Sequence, residues 1–269
     1  MSRFADPDAG RSVARYLGLT LEEVGEASEG RASVRGDAAA PDYLRSADGT
    51  IAMGAVLALA DSVAGLCGGL AALPGWVVST NLMLRAARLD VVGPLGLRAD
   101  VLRAGRNAVV TEVSVFDASA GDRLVADGAL TSAVLVPDGG PPVYERPLRL
   151  DAPPIDPATT PHLTEFLGVR TLDDHTLAID ATEPLRNPWG ILHGGVTAAL
   201  VDLAARHATG GSATTDTVLH FLAPGRIGPV TARVTVVGRR ADGVLVRVEV
   251  RDAGAADRLM AVAVATVAP

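Results

Sequence analysis

Residues 117–126 read DASAGDRLVA and residues 252–261 read DAGAADRLMA, seven identities in ten positions at an offset of 135. Two further pairs fall in the same order. Tyr16-Leu17-Gly18-Leu19 answers Phe166-Leu167-Gly168-Val169, and Val92-Gly93-Pro94-Leu95 answers Ile227-Gly228-Pro229-Val230. Between them GTIAMGAVLALAD (49–61) lies over GILHGGVTAALVD (190–202) at an offset of 141. An ordered series of matches whose offsets drift by a few residues marks a duplicated domain that has since gained and lost loop residues. A chain like this builds one fold twice, and its 269 residues suit two domains of about 130. The stretch 136–161, VPDGGPPVYERPLRLDAPPIDPATTP, is proline-rich and has no helical period, so it reads as an extended, polyproline-like spacer. The predicted organisation is a first domain over 1–136, a linker over 137–158 and a second domain over 159–269.

Each copy carries one long apolar helix, centred on 51–66 and on 193–208, followed by strands. VVTEVSVFD (109–117) and VLVRVEVRD (244–252) alternate apolar and polar residues, the period of a half-buried strand. Further strands are predicted over 98–102, 123–135, 230–237 and 258–267, with tight turns at 118–122 and 253–257. Strands clustered after a helix, joined by hairpins, predict an α+β fold with an antiparallel sheet laid on the helix. No charge occurs from Ser62 to Leu84, a length that could span a bilayer. Pro74-Gly75 interrupts it and Gly65, Gly68 and Gly69 weaken a continuous helix, so it reads as a core helix, a turn and a strand beginning near Trp76.

The balance of 24 basic and 31 acidic residues, net −7, argues against a nucleic-acid binder. A single cysteine, Cys67, excludes an internal disulfide and a cysteine metal cage. MSRFADPDAG at the start has no apolar run of the kind a signal peptide carries, so a cytoplasmic protein is expected. His162, His175, His207 and His220 show no metal-ligand spacing, and neither a G-x-S-x-G elbow nor a phosphate-binding glycine loop occurs.

The most informative run is Asn187-Pro-Trp-Gly-Ile-Leu-His193-Gly194-Gly195, with Asp202 following on the helix. Glycines at a helix start let a backbone N–H approach a ligand, and the helix dipole favours negative charge there. Such an N–H can stabilise the oxyanion formed when a carbonyl is attacked.

The pattern N-x5-HGG-x6-D opening an Ala/Leu/Val-rich helix resembles the PaaI-like hotdog thioesterases. The likeness continues through Thr217–Pro229, TVLHFLAPGRIGP, and the closing strands, covering nearly all of 159–269, while the first half resembles the same fold with a degraded motif. The resemblance implies a double hotdog: two fused domains, each an antiparallel sheet wrapped on a central helix. It also implies a site shared between domains. One contributes the asparagine and the helix-start glycine that polarise a thioester carbonyl; the other contributes a helix carboxylate and, in some members, a serine on the next strand.

Carried onto this chain, the resemblance implies one complete site: Asn187, His193 and Gly194 from the second half, facing Asp61 and Ser79 from the first. His193 is expected to hold the turn by hydrogen bonds, with Gly195, Trp189 and Thr217 against substrate. The mirror site pairs Asp202 with Ser46, Ala52 and Met53, which stand where Asn187, His193 and Gly194 would be; its serine position falls within 214–217. That site lacks the polarising amide and is expected to be inactive or to bind substrate only. The implied activity is hydrolysis of acyl-CoA or a related thioester, with Asp61 as general base or nucleophile and CoA present only as part of the substrate. No cofactor, metal, nucleic acid or membrane is expected, and the family's tetramer implies a homodimer of these double-hotdog chains. The competing readings are a non-catalytic acyl-CoA-binding protein and a hotdog enoyl-CoA hydratase; the latter needs a close Asp–His pair ahead of its helix, which is missing here.

Overall fold

The structure is a computed structural model, describing residues 12–24, 31–136, 146–151 and 155–269. Residues 1–11, from which the absence of a leader is inferred, lie outside the described residues.

Two helices, α2 (Met53–Ala72) and α4 (Gly194–Thr209), run through the middle of the molecule. α2 is apolar on nearly every side, and a helix without a polar face is stable only when enclosed. It is long and apolar enough to cross a membrane, yet 67% of its most apolar window is buried inside this protein. It ends at Ala72, and Gly75 N–H returns to the Ala72 carbonyl before the next strand begins at Trp76.

Around the helices, thirteen strands among the described residues form one sheet. The first half contributes β1 (Thr20–Glu23), β2 (Ser33–Ala38), β3 (Trp76–Ala86), β4 (Leu95–Ala104), β5 (Ala108–Asp117), β6 (Arg123–Leu135) and β7 (Arg149–Leu150). The second contributes β8 (Arg170–Asp173), β9 (Thr176–Ile179), β10 (Thr214–Phe221), β11 (Val230–Arg240), β12 (Gly243–Asp252) and β13 (Arg258–Val267). Short helices α1 (Ser12–Tyr16) and α3 (Leu163–Phe166) precede β1 and β8. The order is β7-β1-β2-β4-β5-β6-β3-β10-β13-β12-β11-β9-β8. Read outward from the β3–β10 junction, the two halves repeat strand for strand, with β7 the one addition. All pairs are antiparallel, and Val218↔Met83 lies in the joining ladder.

Even the irregularities are duplicated. Bulges at 101/103, 115/116 and 79/81 recur at 236/238, 250/251 and 214/216, each at the offset of 135. The helix starts keep the offset of 141, and most of the change to 135 comes from α2 having twenty residues and α4 sixteen, about one turn fewer.

Two sequence expectations need revision. Strands do not only follow each helix: β1 and β2 precede α2, and β8 and β9 precede α4. These strands have four to six residues, too short for alternation to stand out. The stretch read as a polyproline spacer also contains an edge strand, β7, which pairs with β1. Leu148 beside it is buried, and Arg146 forms an ion pair with Glu23, whose carboxylate also accepts the Leu148 N–H at 3.0 Å.

Candidate active site

Where α2 and α4 cross, side chains are reduced to a minimum. A methyl group on Gly195 would stand 2.8 Å from the Ala58 Cα, and one on Gly54 would stand 3.2 Å from the Ala199 Cα. This close approach brings the acid of each helix to the N-terminus of the other, where backbone N–H groups and the helix dipole favour negative charge.

Asp61, 4% exposed, therefore faces the start of α4. A methyl on Gly194 would lie 2.7 Å from Asp61 Oδ2 and 2.8 Å from Oδ1, so only glycine leaves space for this carboxylate. Ser79 Oγ, on β3 at its bulge, donates to Asp61 Oδ1 at 2.8 Å. His193 is the N-cap of α4, and its Nδ1 accepts the Gly195 N–H at 3.0 Å. A nitrogen accepting that bond carries no proton, so the imidazole is the Nε2–H tautomer. Burial pushes the His193 pKa down against the opposing pull of the Asp61 charge, which keeps the ring neutral at pH 7. Nδ1 and Asp61 Oδ2, 3.5 Å apart, are then two acceptors side by side. Oδ2 thus faces the start of α4 with no donor among the described residues.

At the mirror position the same elements make a closed arrangement. Asp202 is fully buried; its Oδ2 accepts the Gly54 N–H at 3.0 Å, and Oδ1 accepts the Thr214 hydroxyl at 2.7 Å. Arg206 lies 3.6 Å away, one turn on. The difference traces to one cap. Ala52 stands where His193 does and offers the helix N-terminus no side-chain acceptor, so the Gly54 N–H turns to Asp202.

Asn187 uses Oδ1 to accept the N–H groups of Trp189 (3.0 Å) and Ile191 (3.3 Å), which shapes the loop entering α4. Its counterpart Ser46 has a buried hydroxyl with no hydrogen-bond partner among the described residues. Met53 is wholly buried at the start of α2. The serine-equivalent position, expected within 214–217, is Thr214, whose hydroxyl meets Asp202. Thr217 lies farther along β10 opposite Leu84, and its buried hydroxyl has no hydrogen-bond partner among the described residues. The bulge at 214/216, invisible in sequence, decides this register. The Trp189 ring lies tilted against Trp76 of the first half, with ring centroids 3.8 Å apart.

Two pairs of supporting residues escape the sequence reading. Arg186 donates to the carbonyls of Gly190, Ala181 and Arg226, and Arg45 likewise ties down Gly49, Val91 and Ala40. Each arginine clamps the loop ahead of its helix. Asp252 accepts the N–H groups of Arg226, Ile227 and Gly228, and Asp117 those of Val92 and Gly93. Gly93 and Gly228, at φ 84° and 78°, supply the left-handed backbone these turns require. Both aspartates are fully buried; burial raises their pKa values, but the backbone donors outweigh it and hold them below the usual carboxylate range. The repeat itself was the available signal, because it aligns Arg45 with Arg186 and Asp117 with Asp252.

Residues 183–268 match the acyl-CoA thioesterase N-terminal domain family. No curated protein sequence matches the chain. Among solved structures, the tesB protein of Mycobacterium avium subspecies paratuberculosis is similar over 97% of this chain and 100% of its own, at 16% identity and a TM-score of 0.63. A hot dog fold protein of unknown function from Alicyclobacillus acidocaldarius is similar over 96% and 97%, at 14% identity and a TM-score of 0.63. The 12:0-ACP thioesterase of Umbellularia californica is similar over 87% and 93%, at 11% identity and a TM-score of 0.59. At these identities the likenesses show the fold. Built twice and joined edge to edge, the chain has the fold of these hotdog structures, and its residues 183–268 are similar to an acyl-CoA thioesterase domain.

Proposed function

We propose that the chain hydrolyses acyl-CoA or a related acyl thioester at a single composite site between its halves. The observation that carries this reading is the Asp61 carboxylate, supplied by the first half, set against the Gly194 helix start of the second with one oxygen held by Ser79. A thioester carbonyl seated at this helix start receives the Gly194 N–H as the oxyanion forms, an interaction worth roughly 3–4 kcal/mol in comparable sites. The Asn187 amide NH2, engaged by no described residue, orients the carbonyl or the water. Asp61 takes a proton from water as the oxygen attacks the carbonyl carbon; collapse of the tetrahedral intermediate breaks the C–S bond and releases the thiolate, which takes up a proton. Direct attack by the carboxylate, through an anhydride that water then opens, uses the same groups. His193 engages the Gly195 N–H and so leaves Asp61 Oδ2 for the reaction. The reading needs no cofactor beyond the CoA of the substrate, and a cytoplasmic homodimer belongs to it.

Thiol release from a panel of acyl-CoAs tests it, wild type beside Asp61→Asn and Asp202→Asn. The expected result is a loss of at least about a hundredfold for Asp61→Asn and near-wild-type turnover for a folded Asp202→Asn protein. The reverse pattern would move the catalytic acid to the second half. Binding of acyl-CoA without turnover in wild type would replace the hydrolase by a carrier.

A further inference from the structure

The two composite sites have mouths of opposite character. Beside the Thr214–Asp202 pair a cavity of about 230 Å³ opens between the halves, lined by Asp48, Thr50, Arg88, Ser212 and Thr215 among others. The repeat carries Asp48 to Trp189, Thr50 to Ile191, Arg88 to Ala223, Ser212 to Val77 and Thr215 to Thr80 at the Asp61 site. Of these five polar or charged residues, four are thus replaced by apolar ones on the other side, and Thr215 by Thr80. Next to Val77 stands Trp76, whose counterpart is Gly211. The rings of Trp76 and Trp189 meet across the two halves with centroids 3.8 Å apart, at 44°. They bridge the two catalytic arms: Trp76 lies three residues before Ser79, and Trp189 four before His193. Trp76 Nε1 is buried with no hydrogen-bond partner among the described residues, a donor in want of an acceptor.

We propose that Trp76 and Trp189 form the wall that ends the acyl-binding space of the Asp61 site and restricts it to thioesters of short acyl chains. The proposal rests on the hydrolase reading. The nucleotide end of CoA carries phosphates and calls for cations, whereas Trp76, Val77, Trp189, Ile191 and Ala223 offer apolar surface, the complement of an acyl group. Two indoles in contact occupy the room that a longer chain needs, where the mirror site has Asp48 in place of Trp189 at the edge of its cavity.

These are the only two tryptophans of the chain, so intrinsic fluorescence reports this pair alone. The test is a titration with non-hydrolysable S-alkyl-CoA thioethers, ethyl to dodecyl, on wild type, Trp76→Ala and Trp189→Leu. Wild type should change its tryptophan emission with short thioethers and lose affinity as the chain lengthens. Each variant should gain at least about tenfold in dodecyl affinity relative to ethyl. Trp76→Phe replaces Trp76→Ala if the smaller residue fails to fold, with a smaller gain in the same direction. Chain-length profiles parallel to wild type, a uniform loss at every length, or no binding of any thioether would each overturn the proposal. Thiol release is measured separately: binding without turnover would sink the hydrolase while the variants still decide whether the pair is the wall.

Discussion

A histidine and an alanine at matching positions divide the two sites. His193 accepts the Gly195 N–H, whereas Ala52 has no acceptor and the matching Gly54 N–H is taken by Asp202. His193→Ala should therefore turn Asp61 into a second Asp202. Turnover is expected to fall at least about tenfold with KM little changed, and His193→Asn, whose oxygen still caps, should retain more activity. The same ring sets a pH dependence. Burial, the larger effect, holds the folded pKa of His193 below its ordinary value of 6.5, so the unfolded chain takes up that proton first. Stability is then complete above about pH 6.5 and declines as the pH falls toward the folded pKa, by at most about 1.4 kcal/mol at pH 5.5. Urea midpoints at pH 7.5 and 5.5 should differ less for His193→Asn than for wild type; an equal difference would refute the assignment. Asp252→Ala strands three backbone donors at a buried turn, and a loss of about 3 kcal/mol or more is expected in the same unfolding experiment.

At the scale of elements, the helix crossing is the decisive contact. Gly195 meets the Ala58 backbone, so an added methyl has no flexible side chain to displace and must push α4 away from α2. Gly195→Ala should cost about 1–3 kcal/mol in thermal or chemical unfolding. Gly96→Ala on β4, where a methyl would meet nothing within 4 Å, is the control and should be near neutral. Displacing α4 also moves Gly194 off Asp61, so the first variant should lose activity beyond its loss of stability. Cys67 of α2 belongs to this packed layer: burial pushes its thiol up to about 12, and its Sγ lies 3.3 Å from the Ala32 carbonyl. A thiol reagent should label Cys67 only after denaturation, leaving assays of released CoA thiol free of background.

For the molecule as a whole, duplication followed by divergence yields a pseudo-symmetric sheet with unequal sites. The strand order mirrors itself about β3–β10, yet one acid faces a helix start with an oxygen unengaged while the other is sealed by its donors. Fusion makes this asymmetry possible, because two copies of one sequence assembled symmetrically would carry identical sites. The proposed homodimer is checked by sedimentation equilibrium, which should return twice the 27.5 kDa chain mass; a single chain mass at micromolar concentration would remove it.

The repeat, read as letters, already determined that one fold occurs twice, that an apolar helix lies at the centre of each copy, and that Asp61 and Asp202 occupy matching places. These follow from local pattern: hydrophobic period, glycine and proline punctuation, and identities at a constant offset. Asp61, Ser79, His193 and Gly194 were all legible as candidates, because each stands in a motif or at a matched offset. Three things needed the folded chain. Thr214 is the residue of 214–217 that meets Asp202, on a strand whose bulge at 214/216 no sequence pattern shows. The buried Asp117 and Asp252 act on backbone groups 24 or more residues away, so no short window reveals them, and the arginine clamps join carbonyls four and five residues away to ones brought near only by folding. The free oxygen of Asp61 depends on which of two acceptors an N–H chooses, and that choice exists only once α2 and α4 have been brought together by glycines on both faces.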